Sequence, residues 1–386
     1  MSDLNKERMK ATVAALRDSS SGGKGDNVEA TEKLGEGSFG DVYRLKEHPE
    51  HILKVPKIDK YNKRGFVEDG DIICYDLQKK EGLSTEGLVR IDDIGKDYVI
   101  MECCDDGDLE QLGERDRSRA AELLRGGGAL NIMNGINNIH GCNYVHRDIK
   151  PDNILCTAEG KFKIGDFGFM GPNGEQNRKD KIAGTPMYYS PEKCAVESFI
   201  DEGMRFDEKR ADCWAAGCVL YNILCGKDIG DLVCEVDDMD YDGTTFTSTM
   251  IDIVHNESCE ELRSKFKEIM LKDLDGAGVG SLMQFIVGEL LNPDQDTAQE
   301  MGEILEMVEE MGKEEKYRVE YEAMKGTEKK KEEKKEGKDS NDKKKGESDV
   351  ESVTKTAAVS ALKSSCHTVN ENVNVNNISS SQGNPS

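Results

Sequence analysis

The stretch HRDIKPDNIL, residues 146–155, followed by IGDFG at 164–168, decides how the rest of the chain is read. Asp148 and Asp166 stand eighteen positions apart, with Lys150 and Asn153 between them. A carboxylate at Asp148 can accept a proton from an attacking hydroxyl, and the Lys150 ammonium can hold a phosphoryl oxygen. Asn153 and Asp166 are hard oxygen donors suited to Mg²⁺, which takes few protein ligands and shares the rest of its shell with phosphate. HRD by itself is a common solvated turn. The second acid at this interval, with an asparagine between, makes the pattern specific.

With HRD-x-K-x-x-N and DFG both intact, the chain resembles the eukaryotic-type protein kinase family. The resemblance implies an α+β, bilobal protein kinase fold: a small antiparallel-sheet lobe with one helix, a larger, mainly helical lobe, and ATP with Mg²⁺ between them. It implies catalytic roles for Asp148, Lys150, Asn153 and Thr185, and metal ligation by Asn153 and Asp166. Lys150 and Pro151 are of the Ser/Thr-directed type, so the expected reaction is transfer of the ATP γ-phosphoryl group to protein Ser or Thr hydroxyls.

Length and composition are compatible with this. A chain of 386 residues can bury at least one sizeable core. Its 12 cysteines show no C-x-x-C spacing, as in a reduced, cytoplasmic protein. The net charge of -25 argues against nucleic acid and favours basic partners. No run is long and apolar enough to span a membrane. A monomer is expected.

Upstream, LGEGSFGDVYRL carries Gly35, Gly37 and Gly40. Dinucleotide-binding folds place such glycines at a strand-to-helix turn, but the run Asp41–Leu45 favours a second strand and therefore a hairpin lid. By resemblance Leu34 and Val42 pack on the adenine, and Lys54 in HILKVPK grips the α and β phosphates. Strand alternation puts Ile52 and Lys54 on one face, Leu53 and Val55 on the other. Ile52 departs from the small Ala usual in the family and would narrow the adenine slot. An acid on the next helix should pair with Lys54, and Glu68, Asp71, Asp76 and Glu81 all follow. Glu68 lies nearest the usual offset and is the favoured partner, although Gly70 is a poor helix residue. Counting back from LVRIDDI points instead to Asp76. In YVIMECCDDGDL, Met101 is the expected gatekeeper, Glu102 and Cys104 offer main-chain groups to the adenine edge, and Asp108 reaches the ribose.

A long helix should precede the catalytic loop, starting after or breaking at Gly126, Gly127 and Gly128. Downstream, GTP and SPE close the activation segment, and residues 169–184 contain no Ser, Thr or Tyr. Arg147 normally pairs with a phosphate there. Activity is therefore expected without loop phosphorylation, with Glu175 or Asp180 as a constitutive carboxylate. Asp212 resembles the buried acid that braces the HRD backbone. Asp231, Glu235, Asp237, Asp238, Asp240 and Asp242 read as an acidic insert, a solvated loop with a docking surface for basic substrate as the alternative. Asp296 stands where an Arg would meet Glu192, so Glu192 needs another partner. Asp108 and Asp152 lie where basophilic relatives place acids, implying a protein substrate with basic residues near the acceptor.

The expected division is a flexible tail at 1–29, a small lobe at 30–104, a large lobe at 105–326 with a C-terminal helical extension, and a disordered charged and Ser/Asn-rich tail at 327–386. The rival reading is a pseudokinase scaffold that binds nucleotide and protein partners without turnover. Ile52, the unclear helix acid, the missing loop phosphosite and Asp296 speak for it; the intact Lys54, Asp148, Lys150, Asn153 and Asp166 speak against it.

Overall fold

The computed structural model describes residues 30–36, 40–46, 48–58, 66–174, 182–198, 206–237, 243–255, 259–294 and 297–336. Gly37, Glu175, Asp180, Asp238, Asp240, Asp242 and Asp296 fall outside them.

The small lobe is built on a five-stranded antiparallel sheet in the order β1-β2-β3-β5-β4. Its strands are β1 (Ala30–Glu36), β2 (Gly40–Leu45), β3 (His51–Pro56), β4 (Ile91–Ile94) and β5 (Val99–Glu102). Period-two alternation gives the sheet two apolar faces. Leu53 and Val55 join Tyr43 and Leu45 in a small outer cluster, while Ile52 belongs to the main core. The glycine-rich segment opens into a strand, not a helix, with Gly35 opposite Val42. Helix α1 (Asp69–Asp76) packs beneath the sheet and ends in a wide turn, Leu77–Glu81.

The large lobe begins with α2 (Leu109–Leu123), capped by the Asp108 carboxylate, which accepts from the Gln111 amide at 2.8 Å. The turn Leu124–Gly128 then leads into α3 (Ala129–Gly141). The glycine triplet breaks regular winding without ending the rod. Gly127 has φ 122°, and a side chain at Gly128 would lie 2.3 Å from the Phe162 ring. Short pairs β6 (Tyr144–Val145), β7 (Ile154–Cys156), β8 (Phe162–Ile164) and β9 (Gly171–Pro172) frame the HRD and DFG segments.

Helices α4 (Pro191–Ser198), α5 (Glu208–Cys225), α6 (Ile229–Asp237), α7 (Gly243–His255), α8 (Cys259–Gly276), α9 (Ser281–Leu290), α10 (Met301–Met311) and α11 (Glu315–Glu336) complete the chain's described part. Helix α5 is buried nearly all round, and its Trp214 stacks on Phe266 of α8. Two expectations need correction here. The acidic stretch after residue 228 starts as a helix, α6, and not a loop; its Leu232, Val233 and Val236 are buried, while Asp231 and Glu235 are exposed as expected and Glu235 pairs with Lys227. Helix α11 also continues past residue 327 to Glu336.

Candidate active site

The catalytic loop is held from below by one carboxylate. Asp212 of α5 accepts from the main-chain amides of His146 (2.8 Å) and Arg147 (2.9 Å), and its Oδ2 lies 3.0 Å from the His140 ring. Burial alone would raise its pKa; the His140 bond, the nearby histidines and the backbone amide overcome this and hold it below the ordinary range. This bracing lets Arg147 keep φ 75°, which turns the chain towards Asp148. His146 is buried, meets the Gly165 carbonyl at 3.1 Å and packs edge-on to Phe167. The HRD and DFG segments are thereby tied to each other.

Asp148 is almost fully buried and surrounded by donors. The Thr185 hydroxyl donates to Oδ1 at 2.8 Å, Asn153 Nδ2 donates to Oδ2 at 3.0 Å and to the main-chain carbonyl at 2.8 Å, and Lys150 Nζ stands 3.5 Å from Oδ2. With its N–H group committed to Asp148, Asn153 has its amide oxygen to offer a cation. Asp166 sits at φ 54° and carries its carboxylate into the cleft. Against the effect of burial, Lys54 lowers the Asp166 pKa, so it is an anion near neutrality. Two hard oxygen donors beside a lysine fit Mg²⁺ carrying phosphate.

Lys54, on β3 opposite Val42, is 6 % exposed and reaches Asp166 at 2.8 Å and Asp71 at 3.0 Å. Burial favours its neutral form, but the two carboxylates reverse this and raise its pKa. The helix acid paired with Lys54 is therefore Asp71, not Glu68. Glu68 precedes the first turn of α1, in extended conformation, whereas Asp71 lies inside the helix on the face turned to the sheet. Asp76 instead pairs with the exposed Lys80. Asp71 is one methylene shorter than a glutamate, so α1 must approach closely, and Gly70 permits that approach. A Cβ at Gly70 would lie 1.9 Å from the Phe167 carbonyl oxygen. The glycine that weakened the sequence case for a helix is what lets this helix touch the DFG segment.

Around the cleft, Ile52 stands across from Met101 in the β3–β5 register, and both are buried. Val42 is partly buried against the main core, and Leu34 is 41 % exposed on the hairpin. Gly35 has open space where a side chain would project, whereas a Cβ at Gly40 would meet the Val55 carbonyl oxygen at 2.7 Å. The segment after β5 is fixed through Cys103 N to Glu50 O (2.8 Å) and Asp106 N to Cys156 O (3.1 Å). The Glu102 side chain is turned to Lys163 and the Arg90 amide, and Cys104 is half-buried.

Arg147 is satisfied within the large lobe. Its Nε donates to Glu208 at 2.8 Å, and its terminal nitrogens donate to the carbonyls of Phe169 (3.4 Å) and Pro172 (2.7 Å). Glu208, at the start of α5 and 2 % exposed, gives Arg147 a buried carboxylate, while the expected Glu175 and Asp180 lie outside the described residues. No local sequence signal marks it, because it lies sixty-one positions from its partner. Glu192 likewise finds Arg210 of α5 at 3.8 Å, while Arg263 binds Asp294 at 3.1 Å.

A glycine hairpin over a buried lysine, a separate loop presenting a shielded aspartate, and a second aspartate between them define a two-lobed phosphotransferase fold. The chain belongs to the protein kinase domain family, whose sequence profile matches residues 28–297. It is similar to the serine/threonine-protein kinase Nek5 of Mus musculus, 31 % identical over 203 residues that cover 51 % of this chain and 31 % of that protein. It is also similar to the probable serine/threonine-protein kinase nek2 of Dictyostelium discoideum, 30 % identical over 51 % of this chain and 48 % of that protein. An Aurora kinase of Saccharomyces cerevisiae is 30 % identical over 52 % of this chain and 53 % of that protein. The chain thus spans about half or less of the length of these relatives. Among the described residues no helix is long and apolar enough to cross a membrane.

Proposed function

We propose that the chain transfers the γ-phosphoryl group of ATP to Ser or Thr hydroxyls of protein substrates. The observation that carries this reading is the convergence of Lys54, Asp71 and Asp166 on one side of the cleft with Asp148, Lys150, Asn153 and Thr185 on the other. A scaffold that only binds partners has no chemical need for that set. Leu34, Val42, Ile52 and Met101 would enclose the adenine, with main-chain groups of Glu102 and Cys104 at its edge, Asp108 at the ribose, and Gly35, Gly37 and Gly40 over the phosphates. Lys54 would hold the α and β phosphates, and Asn153 and Asp166 would hold Mg²⁺, which when bound neutralises charge on the transferring group. Asp148 orients the acceptor hydroxyl and receives its proton. Lys150 lies where it can bond the moving phosphoryl oxygens, and Thr185 fixes the Asp148 rotamer. The gain comes from positioning and preset charge.

The internal Arg147–Glu208 pair supports activity without loop phosphorylation, since the arginine already has a buried anion. Turnover that survives phosphatase treatment is the expected result, and its loss would overturn this part. Basic substrates are supported by the acids at the mouth of the site. Glu110 lies against Asp152, close to Asp108, and this neighbourhood of acids raises its pKa. A cleft of about 370 Å³ below is lined by Glu110, Glu114 and Asp228, with Arg117 the opposing charge. We place the protein in the cytoplasm as a monomer, consistent with ten of its cysteines being free thiols.

The deciding experiment is transfer of radiolabelled phosphate from ATP to a generic basic protein, with Lys54→Met and Asp148→Asn beside the wild type. Each variant should lose at least about a hundredfold in rate. Equal labelling by all three would assign the activity to a contaminant. Nucleotide binding without transfer in the wild type would favour the scaffold reading.

A further inference from the structure

Lys193 is an unusual buried charge. It lies in the first turn of α4, where the positive end of the helix dipole opposes a cation, and it is only 5 % exposed. Its Nζ sits 4.2 Å above the Tyr189 ring and 5.9 Å from that of Phe206. It donates to the Ala183 carbonyl at 2.6 Å, and the Tyr189 hydroxyl donates to the next carbonyl, Gly184, at 3.3 Å. One stacked Lys–Tyr pair therefore grips two successive carbonyls of the segment leading into Thr185. That segment lies tight on the catalytic loop: Gly184 has φ 107°, and a Cβ there would stand 2.4 Å from the Arg147 carbonyl oxygen. Thr185, the next residue, bonds Asp148. The void beside these groups, about 10 Å³, holds at most a single water that could take over the ammonium's bond.

Resting on the kinase reading above, we infer that Lys193 is a positioning residue for phosphoryl transfer, its buried ammonium holding residues 183–185 so that Thr185 reaches Asp148. Fold stability does not account for keeping it. A buried cation at a helix start is costly, and an apolar side chain of similar length would serve packing as well or better. What an apolar side chain lacks is a donor for Ala183. The segment is thus seated from beneath by a permanent side chain, in a protein whose described loop residues include no phosphorylatable group before Thr185.

The inference includes a pH dependence. Asp212 and Glu208 face Lys193 from α5, Asp148 and Arg147 from the catalytic loop, and Tyr189 and Cys194 from its own segment. Burial lowers the Lys193 pKa to about 8 despite Asp212, Asp148 and Glu208. Burial also pushes the Tyr189 hydroxyl well above its usual range and Cys194 up to about 12, so neither ionises in the same interval. As pH rises through about 8 the ammonium loses its charge and its grip weakens. The effect on stability has the opposite sign. A lysine whose folded pKa lies below its unfolded value binds fewer protons when folded, so stability rises with pH between about 8 and 10.4 while turnover falls.

The test uses the full chain and compares Lys193→Met and Lys193→Arg with wild type for kcat, KM for ATP and peptide, melting temperature, and amide exchange at residues 183–185. Lys193→Met should lower kcat about tenfold, leave KM for ATP within twofold, and melt at or above the wild-type temperature. The fall in wild-type kcat above about pH 8 should vanish in Lys193→Met and move to higher pH in Lys193→Arg. Unchanged kcat and alkaline limb in Lys193→Met would overturn the inference. So would loss of kcat in step with melting temperature and with exchange throughout the large lobe. If the wild type transfers no phosphate, the kinase reading fails by itself, and amide exchange still decides: faster exchange confined to residues 183–185 supports the grip by Lys193, and unchanged exchange rejects it.

Discussion

Asp212 below the catalytic loop and Asp71 on the small-lobe helix are both carboxylates almost without solvent contact, at 2 % and 1 % exposure, yet they are held in opposite ways. Asp212 collects three hydrogen bonds from residues 140–147, two of them main-chain amides, and its pKa is lowered. Asp71 depends on Lys54. Burial raises its pKa, and the attraction of Lys54 offsets that only in part. One acid is part of a fixed frame; the other is held chiefly by Lys54, beside the Phe167 main chain, and so depends on α1 staying close to β3. The large lobe thus supplies a rigid base, and the small lobe supplies a contact that responds to small displacements.

The largest effect is expected at the frame. Asp212→Ala leaves two backbone amides and the His140 ring without their buried partner, which should destabilise the protein by about 3 kcal/mol or more and abolish transfer. Thermal or urea unfolding measures it. Because the Asp212 pKa is lowered on folding, its contribution is present above about pH 4, the unfolded value, and is lost as pH falls further. A variant as stable as wild type would mean the loop is braced elsewhere.

At the movable contact the loss should appear in catalysis and not in stability. Asp71→Asn should reduce kcat/KM about tenfold or more with little change in melting temperature, since Lys54 keeps Asp166. Glu68→Gln should stay within about twofold, as for a residue remote from the reacting groups. Reversal of the two would restore the sequence-based assignment. Gly70→Ala sharpens the point, because the new methyl would meet the Phe167 carbonyl and push α1 away from the sheet. A loss of about 1 to 3 kcal/mol, typical of overpacking, should accompany weaker turnover in this variant, unlike Asp71→Asn and Glu68→Gln.

The smallest effect concerns substrate choice. Glu110 is raised to about 7, first by its contact with Asp152, then by burial and by the charges of Asp152 and Asp108. A carboxyl group with a raised pKa is neutral below that value and anionic above it. The preference for a peptide with arginine before the acceptor, over one without, should therefore grow a few-fold between about pH 6 and 8. Steady-state KM ratios test this, and a flat ratio in that interval would remove Glu110 from recognition.

Much of the site was legible because its parts lie in contiguous runs. HRDIKPDN and DFG carry their chemistry at fixed short spacing, and Lys54 follows from strand alternation after the glycine hairpin. Asp212, the one acid in an apolar run, was implied by the family resemblance. The partners across elements could not be read in this way. Glu68 and Asp71 differ by three positions, and which of them faces the sheet depends on where α1 starts and how closely it packs. Glu208 and Arg210 serve Arg147 and Glu192 from α5, and Lys193 meets Ala183 ten positions away across a loop.

The amino-acid order alone determined the reaction groups and the absence of a phosphorylatable residue in 169–184, because each is written in neighbouring residues, and the family resemblance those residues carry implied the two-lobed architecture. Only the tertiary structure decided which charges meet: Asp71 on Lys54, Glu208 on Arg147, Lys193 beneath Ala183. Hydrogen bonds and ion pairs form over about three ångströms, while helix register and packing shift side chains by more than that, so pairing between distant segments is set by the packed fold.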